Sequence, residues 1–160
     1  MKGLLYVITL GAVVALAIPG GQVWAQGADP LDGTWTLNVA KSKFNSGPTI
    51  KSQTRKYEVS GDSVKQTLDG VGADGKPAHM TFNAHYDGKD YPTTGNPDAD
   101  TIAVKRTDRY SAKSTLKKDG KAVQTTMRHV SKDGKTLTMK TTGTNSKGEK
   151  VDNVLVFDKQ

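Results

Sequence analysis

The sequence predicts an all-β protein, a single antiparallel up-and-down β-barrel of about eight to ten strands, with a two-sheet β-sandwich as the alternative. Three observations predict it. Asp-Gly-Lys occurs four times, beginning at Asp74, Asp87, Asp119 and Asp133. Asp-Gly between alternating segments is a hairpin signal, because tight hairpin turns need positive φ and Gly adopts it cheaply. Between these turns Val, Thr, Tyr, Phe and Ile recur with period two, which sends alternate residues to opposite faces of a sheet. The 18 Thr after residue 25 suit half-solvated, pleated strands. A sheet with one apolar face must cover it, and closing the sheet on itself also removes its edges.

The chain begins with an address. Lys2 precedes an apolar run from Leu4 to Ile18, which Pro19, Gly20 and Gly21 break. Val23-Trp24-Ala25 then places small or tolerated side chains where a signal peptidase reads them. Residues 1–25 therefore read as a secretory signal, cut after Ala25, and the run is shorter than the roughly 20 residues that span a bilayer. Residues 26–160 form one domain, expected to be periplasmic or secreted and not membrane-spanning. The 160-residue chain has no Cys. That excludes disulfides, thiol nucleophiles and Cys-ligated metals.

Strands are expected at 33–39, 52–60, 63–71, 78–86, 89–92, 100–107, 110–118, 121–130, 135–143 and 149–158. In the first, Trp35, Leu37 and Val39 alternate with Thr36 and Asn38. In the second, Arg55, Tyr57 and Val59 share a face. Met80, Phe82, Ala84 and Tyr86 do so in the fourth, and Leu137 and Met139 in the ninth. The one helical stretch expected is a turn or two around 40–44. A two-residue Gly61-Asp62 loop pairs Val59 with Val64 and Tyr57 with Gln66. A three-residue Ala73-Asp74-Gly75 loop pairs Leu68 with Met80 and Gln66 with Phe82. For the strand at 121–130 two registers compete. A two-residue Asp119-Gly120 loop sets Leu116 opposite Val123 and turns Val123, Thr125, Met127 and His129 inward. A three-residue loop turns in Ala122, Gln124, Thr126, Arg128 and Val130. The first is preferred because it buries Val123 and Met127 together.

The inward set mixes apolar residues with Arg55, Gln66 and Arg106. A cation inside a barrel implies water, an acidic partner or an anionic ligand, unless its stem lies on apolar surface and its head reaches solvent at a rim. Candidate ligand-binding residues are Arg55, Tyr57, Phe82, Tyr86, Arg106 and Met139. Tyr57, Tyr86 and Arg106 would orient the ligand, and Arg55 is a second cation.

Gly33-Thr34-Trp35 at the head of the first strand resembles the G-x-W signature of lipocalins and their calycin relatives, and Thr107-Asp108-Arg109-Tyr110 resembles their T-D-x motif. The run of short strands ending in Val156-Phe157-Asp158-Lys159 is similar to the fatty-acid-binding-protein branch. The stretches 36–44 and 86–92 resemble small exported bacterial proteins of lipocalin-like type. The resemblance implies a barrel closed at one end by Trp35. Where lipocalins place an Arg over that Trp, this chain has Lys159. The Arg-x-Tyr pair that fatty-acid-binding proteins carry in the last strand is replaced by Val154-Leu155-Val156-Phe157. The segment at about 40–51 is short for their helical lid.

No nucleophile elbow, phosphate loop, H-E-x-x-H or dinucleotide fingerprint occurs. His79 and His85 are six residues apart on one strand, about 20 Å, and His129 stands alone, so no metal site is expected. Asp87, Asp90, Asp98 and Asp100 lack the spacing of a calcium loop. The net charge is +7, but the lysines are spread over turns and aromatic platforms are few, which speaks against nucleic acid. Weak attraction to anionic envelope components remains compatible with it. The expected function is binding of a small, mainly apolar or amphipathic molecule in the barrel, as carrier or sensor, without a cofactor and without catalysis. The alternative is an envelope interaction or structural protein with a filled barrel, acting through its loops on an envelope protein or polysaccharide; the third reading, an enzyme, would need convergent acid–base groups inside.

Overall fold

The computed structural model describes residues 28–47 and 49–160; the expected signal segment, 1–25, lies outside them. Eleven strands run in chain order: β1 Gly33–Leu37, β2 Lys43–Ser46, β3 Ser52–Ser60, β4 Ser63–Val71, β5 Pro77–His85, β6 Asp87–Thr94, β7 Thr101–Arg106, β8 Ser111–Lys118, β9 Lys121–Val130, β10 Thr136–Thr144 and β11 Lys150–Lys159. Ten of them, β1 and β3 to β11, form an antiparallel ring closed by the β1–β11 pairing. Closure excludes the sandwich: no pair of open sheets is left to stack.

The first strand departs from expectation. The chain leaves the β11 ladder after Leu37 and makes one 3₁₀ turn at Val39–Lys41. It then rejoins β11 as β2, with Lys43 opposite Val154. The helix expected at 40–44 is thus one short turn followed by an unexpected strand. Asn38 causes the detour: its side chain accepts from Lys41 N at 3.1 Å and donates to Asp158 at 2.7 Å. Ser42 Oγ then accepts from Val156 N at 3.0 Å, covering a ladder group the detour exposes.

The early hairpins follow the turn chemistry. Val59 pairs with Val64, Tyr57 with Gln66, Leu68 with Met80 and Gln66 with Phe82, as the loops dictate. The β8–β9 hairpin requires a correction. Its loop is the two-residue Asp119-Gly120, both at positive φ, as a type I′ turn needs. Yet the register shifts after two rungs: Lys118 faces Lys121 and Lys117 faces Ala122, but Leu116 faces Gln124. Val123 is the extra residue, a β-bulge, and everything beyond it changes face. Thr126, Arg128 and Val130 are buried, while Met127 points out at 44% exposure. The sign of the facing was set by this bulge and not by the loop.

The bulge is accommodated by the opposite strand. Gly143 sits across from Gln124 at φ +142, and a Cβ there would lie 2.7 Å from Gln124 Cα and run into the Val123 carbonyl oxygen. Only a glycine leaves room for the extra residue.

The core fills one end of the barrel. Trp35, Tyr57, Val64, Val104, Val130, Leu137 and Phe157 are all at or below 1% exposure. The segment before β1 seals this end. Leu31 is buried, its carbonyl accepts from Trp35 Nε1 at 2.8 Å, Asp32 accepts from Val59 N at 2.9 Å, and Lys159 donates to the Pro30 carbonyl at 3.3 Å. Lys159 Nζ also lies 5.0 Å from the Trp35 ring. Among the described residues no helix is long and apolar enough to cross a membrane.

Candidate functional site

A cavity of about 300 Å³ occupies the other half of the barrel. That is at the small end of the range of ligand pockets. Its apolar wall comes from Met80 and Phe82 on β5, Ile102 on β7, Leu116 on β8, Met139 on β10 and Leu155 on β11. Ile50, Pro97, Asp98 and Asn145 belong to loops and mark the mouth. Polar side chains in the lining include Gln53, Gln66, Thr126, Asn153 and two guanidinium groups, Arg55 and Arg128.

Arg128 is the distinctive group. It is 8% exposed, and its Nη2 donates to Tyr86 Oη at 2.6 Å. Its guanidinium lies 5.5 Å from the Tyr57 ring and 5.3 Å from the Tyr86 ring. Arg55 is half-buried, lies 5.4 Å from the Phe157 ring and donates from Nε to Gln53 at 2.8 Å. Among the described residues neither forms an ion pair. The one carboxylate in the lining, Asp98, is at the mouth and is already engaged by Ser146 N at 2.7 Å and Gln124 Nε2 at 3.4 Å. The cavity therefore carries positive charge in an apolar setting, where a cation is costly without a counter-charge.

Four of the expected ligand residues, Arg55, Tyr57, Phe82 and Met139, line the cavity. Tyr86 and Arg106 do not. They lie beyond Arg128, around a narrow recess at the sealed end. Arg106 pairs with Asp29 at 2.6 Å and stacks on Tyr86 at 4.1 Å. An acidic partner in the N-terminal segment thus takes Arg106, one of the outcomes a buried cation allowed. Tyr57, Arg128, Tyr86, Arg106 and Asp29 form a continuous stack in which rings and cations alternate. Burial pushes the Tyr86 hydroxyl above its ordinary pKa, and the two arginines pull against that. Sequence reasoning missed Arg128 because it missed the bulge. The available signal was Gly143, a glycine inside an alternating Thr-rich strand.

Asp90 and Asp100 are engaged in contacts between neighbouring segments. Asp100 accepts from Lys118 at 2.6 Å and from Asp119 N at 3.0 Å, which holds its carboxyl below the usual range. Asp90 pairs with Lys117 at 2.8 Å. Among the described residues no three His, Asp or Glu come together at metal-binding distance. His79 pairs with Asp69 and His85 with Asp62 on the outer surface, and His129 bonds Ser111 at 2.9 Å.

No protein-family model matches the chain, and no curated protein matches it in sequence. Among solved structures, the chain is similar to the zebrafish ileal bile acid-binding protein complexed with cholic acid, at TM-score 0.50 and 11% identity over 82% of this chain and 99% of that one. Two redesigned β-barrels bound to DFHBI, mFAP1 and mFAP0, match at TM-score 0.45 and 16% identity, over 81% of this chain and 95% and 99% of theirs. The likeness to the zebrafish protein, at 11% identity, shows the barrel fold alone.

Proposed function

We propose that the protein binds a small amphipathic molecule in its barrel, the apolar body against Phe82, Ile102, Met139 and Leu155 and a negatively charged or strongly polar end at Arg128. The observation that carries this is the pair of guanidinium groups facing an apolar cavity with no carboxylate beside them. A ligand acid would supply the missing counter-charge, and its apolar part would gain roughly 25 cal/mol per Å² buried. Arg55 is the second contact for that end. Tyr57 would steer the ligand by fixing Arg128. The similar zebrafish fold, complexed with cholic acid, is consistent with this use of the interior.

We read the role as carrier or sensor, without chemistry on the ligand: the cavity brings together cations and amides, with no acid–base pair. The apolar run at 4–18 supports an exported, periplasmic or secreted protein. The open cavity weighs against a filled barrel acting only through loops. The test is displacement of a fluorescent anilinonaphthalene sulfonate by a fatty acid and by the fatty alcohol of equal length. The acid should compete better, and Arg128→Met should abolish the difference. Equal competition by acid and alcohol in the unmodified protein would overturn the proposal.

A further inference from the structure

The outer surface carries a second charged feature, unrelated to the cavity. One cross-strand row runs Lys105 (β7), Lys113 (β8), Met127 (β9), Lys140 (β10), Val154 (β11) and Lys43 (β2), each residue directly opposite the next. All four lysines are exposed, and Met127 between them is one of two exposed large apolar residues among those described. Among the described residues none of the four lysines makes an ion pair or a side-chain hydrogen bond to an acid. On β6 the row ends at Asp87, opposite Lys105. That carboxylate is committed to Lys89 N at 2.9 Å and Tyr91 Oη at 2.9 Å. Like charges directly opposite in a sheet are destabilising, so a Lys105–Lys113 rung is a local cost that folding does not require.

The neighbouring rows fit a ligand with hydroxyl groups. Ala103, Thr115, Thr125 and Thr142 run along one side and end at Asp152. Ser111, His129, Thr138 and Val156 run along the other. None of these positions is Phe, Tyr or Trp, and the one imidazole, His129, is bonded to Ser111 at 2.9 Å, so there is no run of rings on which successive bases could stack.

The geometry selects the shape of the partner. Strands lie about 4.8 Å apart, so the row is roughly 24 Å long, with charges about 5, 10 and 10 Å apart. It crosses five of the ten ring strands, β7 to β11, and continues onto β2 beside them, about half of the circumference. A flat bilayer would touch two or three of those strands. A flexible linear chain can follow them all. We infer that this lysine row is a docking surface for a linear acidic polysaccharide whose carboxylates meet the lysines while its hydroxyls meet Thr115, Thr125 and Thr142 on one side and Ser111 and Thr138 on the other.

The test is binding of the purified protein to immobilised polygalacturonate over a salt series. Two variants of equal charge are compared: Lys43, Lys105, Lys113 and Lys140 all changed to Gln, and Lys121, Lys132, Lys135 and Lys147, which lie in turns and strand ends off the row, all changed to Gln. The row variant should lose about tenfold or more in affinity with a shallower salt dependence, and the other should stay within about twofold. All eight sites are exposed, and urea unfolding should confirm that both variants remain folded. Equal losses in the two variants would mean that net charge alone attracts the polymer, and would overturn the assignment. So would absence of binding, or a row-dependent preference for phosphatidylglycerol vesicles or single-stranded DNA over polygalacturonate.

Discussion

Gly143→Ala tests whether the β9 bulge sets the character of the cavity. The new Cβ would meet the Val123 carbonyl and come within 2.7 Å of Gln124 Cα, at a backbone φ of +142 that side chains rarely adopt. A non-Gly residue in such a region costs about 1–3 kcal/mol, and overpacking against backbone adds about 1–3 kcal/mol. The expected loss is therefore roughly 2–6 kcal/mol, a large share of a typical domain stability of about 5–15 kcal/mol. Urea unfolding followed by Trp35 fluorescence measures it. Deleting Val123 removes the extra residue and leaves Leu116 opposite Gln124, so Arg128 still points inward. In that background Gly143→Ala should cost at least about 1 kcal/mol less, because the clash term is gone. A loss below about 1 kcal/mol in the original chain, or no rescue by the deletion, would refute the claim that Gly143 exists to seat the bulge.

Other outcomes follow from the same contacts. Asp29→Asn removes the partner of Arg106, which keeps a buried Nη2 without a hydrogen bond; urea unfolding should show a loss of about 1–3 kcal/mol, below the figure for fully buried pairs because both groups are partly exposed. Trp35→Phe leaves the buried Leu31 carbonyl without its donor, and should cost about 1–3 kcal/mol by the same measurement. The Asp100 carboxyl is held below its ordinary range by Asp119 N–H and Lys118, so its contribution is present above the unfolded-state pKa and lost as pH falls through the folded one. Asp100→Asn should therefore flatten the acid side of the stability profile and leave the slope at neutral pH unchanged, as thermal melts across pH would show.

The parts of the barrel that could be read from the chain are those encoded locally. Gly61-Asp62 and Ala73-Asp74-Gly75 determine their own registers, and Tyr57, Phe82 and Met139 follow from alternation alone. What could not be read depends on residues distant in sequence. The facing of Arg128 is decided by a bulge at Val123 that only Gly143, on the next strand, makes possible. Arg106 is withdrawn from the cavity by Asp29, which lies in a segment without periodicity. The strand at 43–46 alternates too briefly to announce itself, and it exists because β11 is long enough to hold β1 and then β2 along one edge.

The closing role of β11 also constrains when the molecule can fold. This last strand alone binds β10, β1 and β2, and its partners at the other end of the chain lie more than 100 residues away. Contacts of such separation form late and slowly. During synthesis β1 has no strand to close the ring against until residues 150–159 appear, so the growing chain stays an open ribbon with its Trp35 side uncovered. A chain ending at residue 149 should remain open to protease, and the addition of 150–159 should confer resistance in one cooperative step rather than gradually. Closure is thus timed by the synthesis of β11, and any factor that acts before then meets this protein as an unclosed strip rather than as a closed barrel.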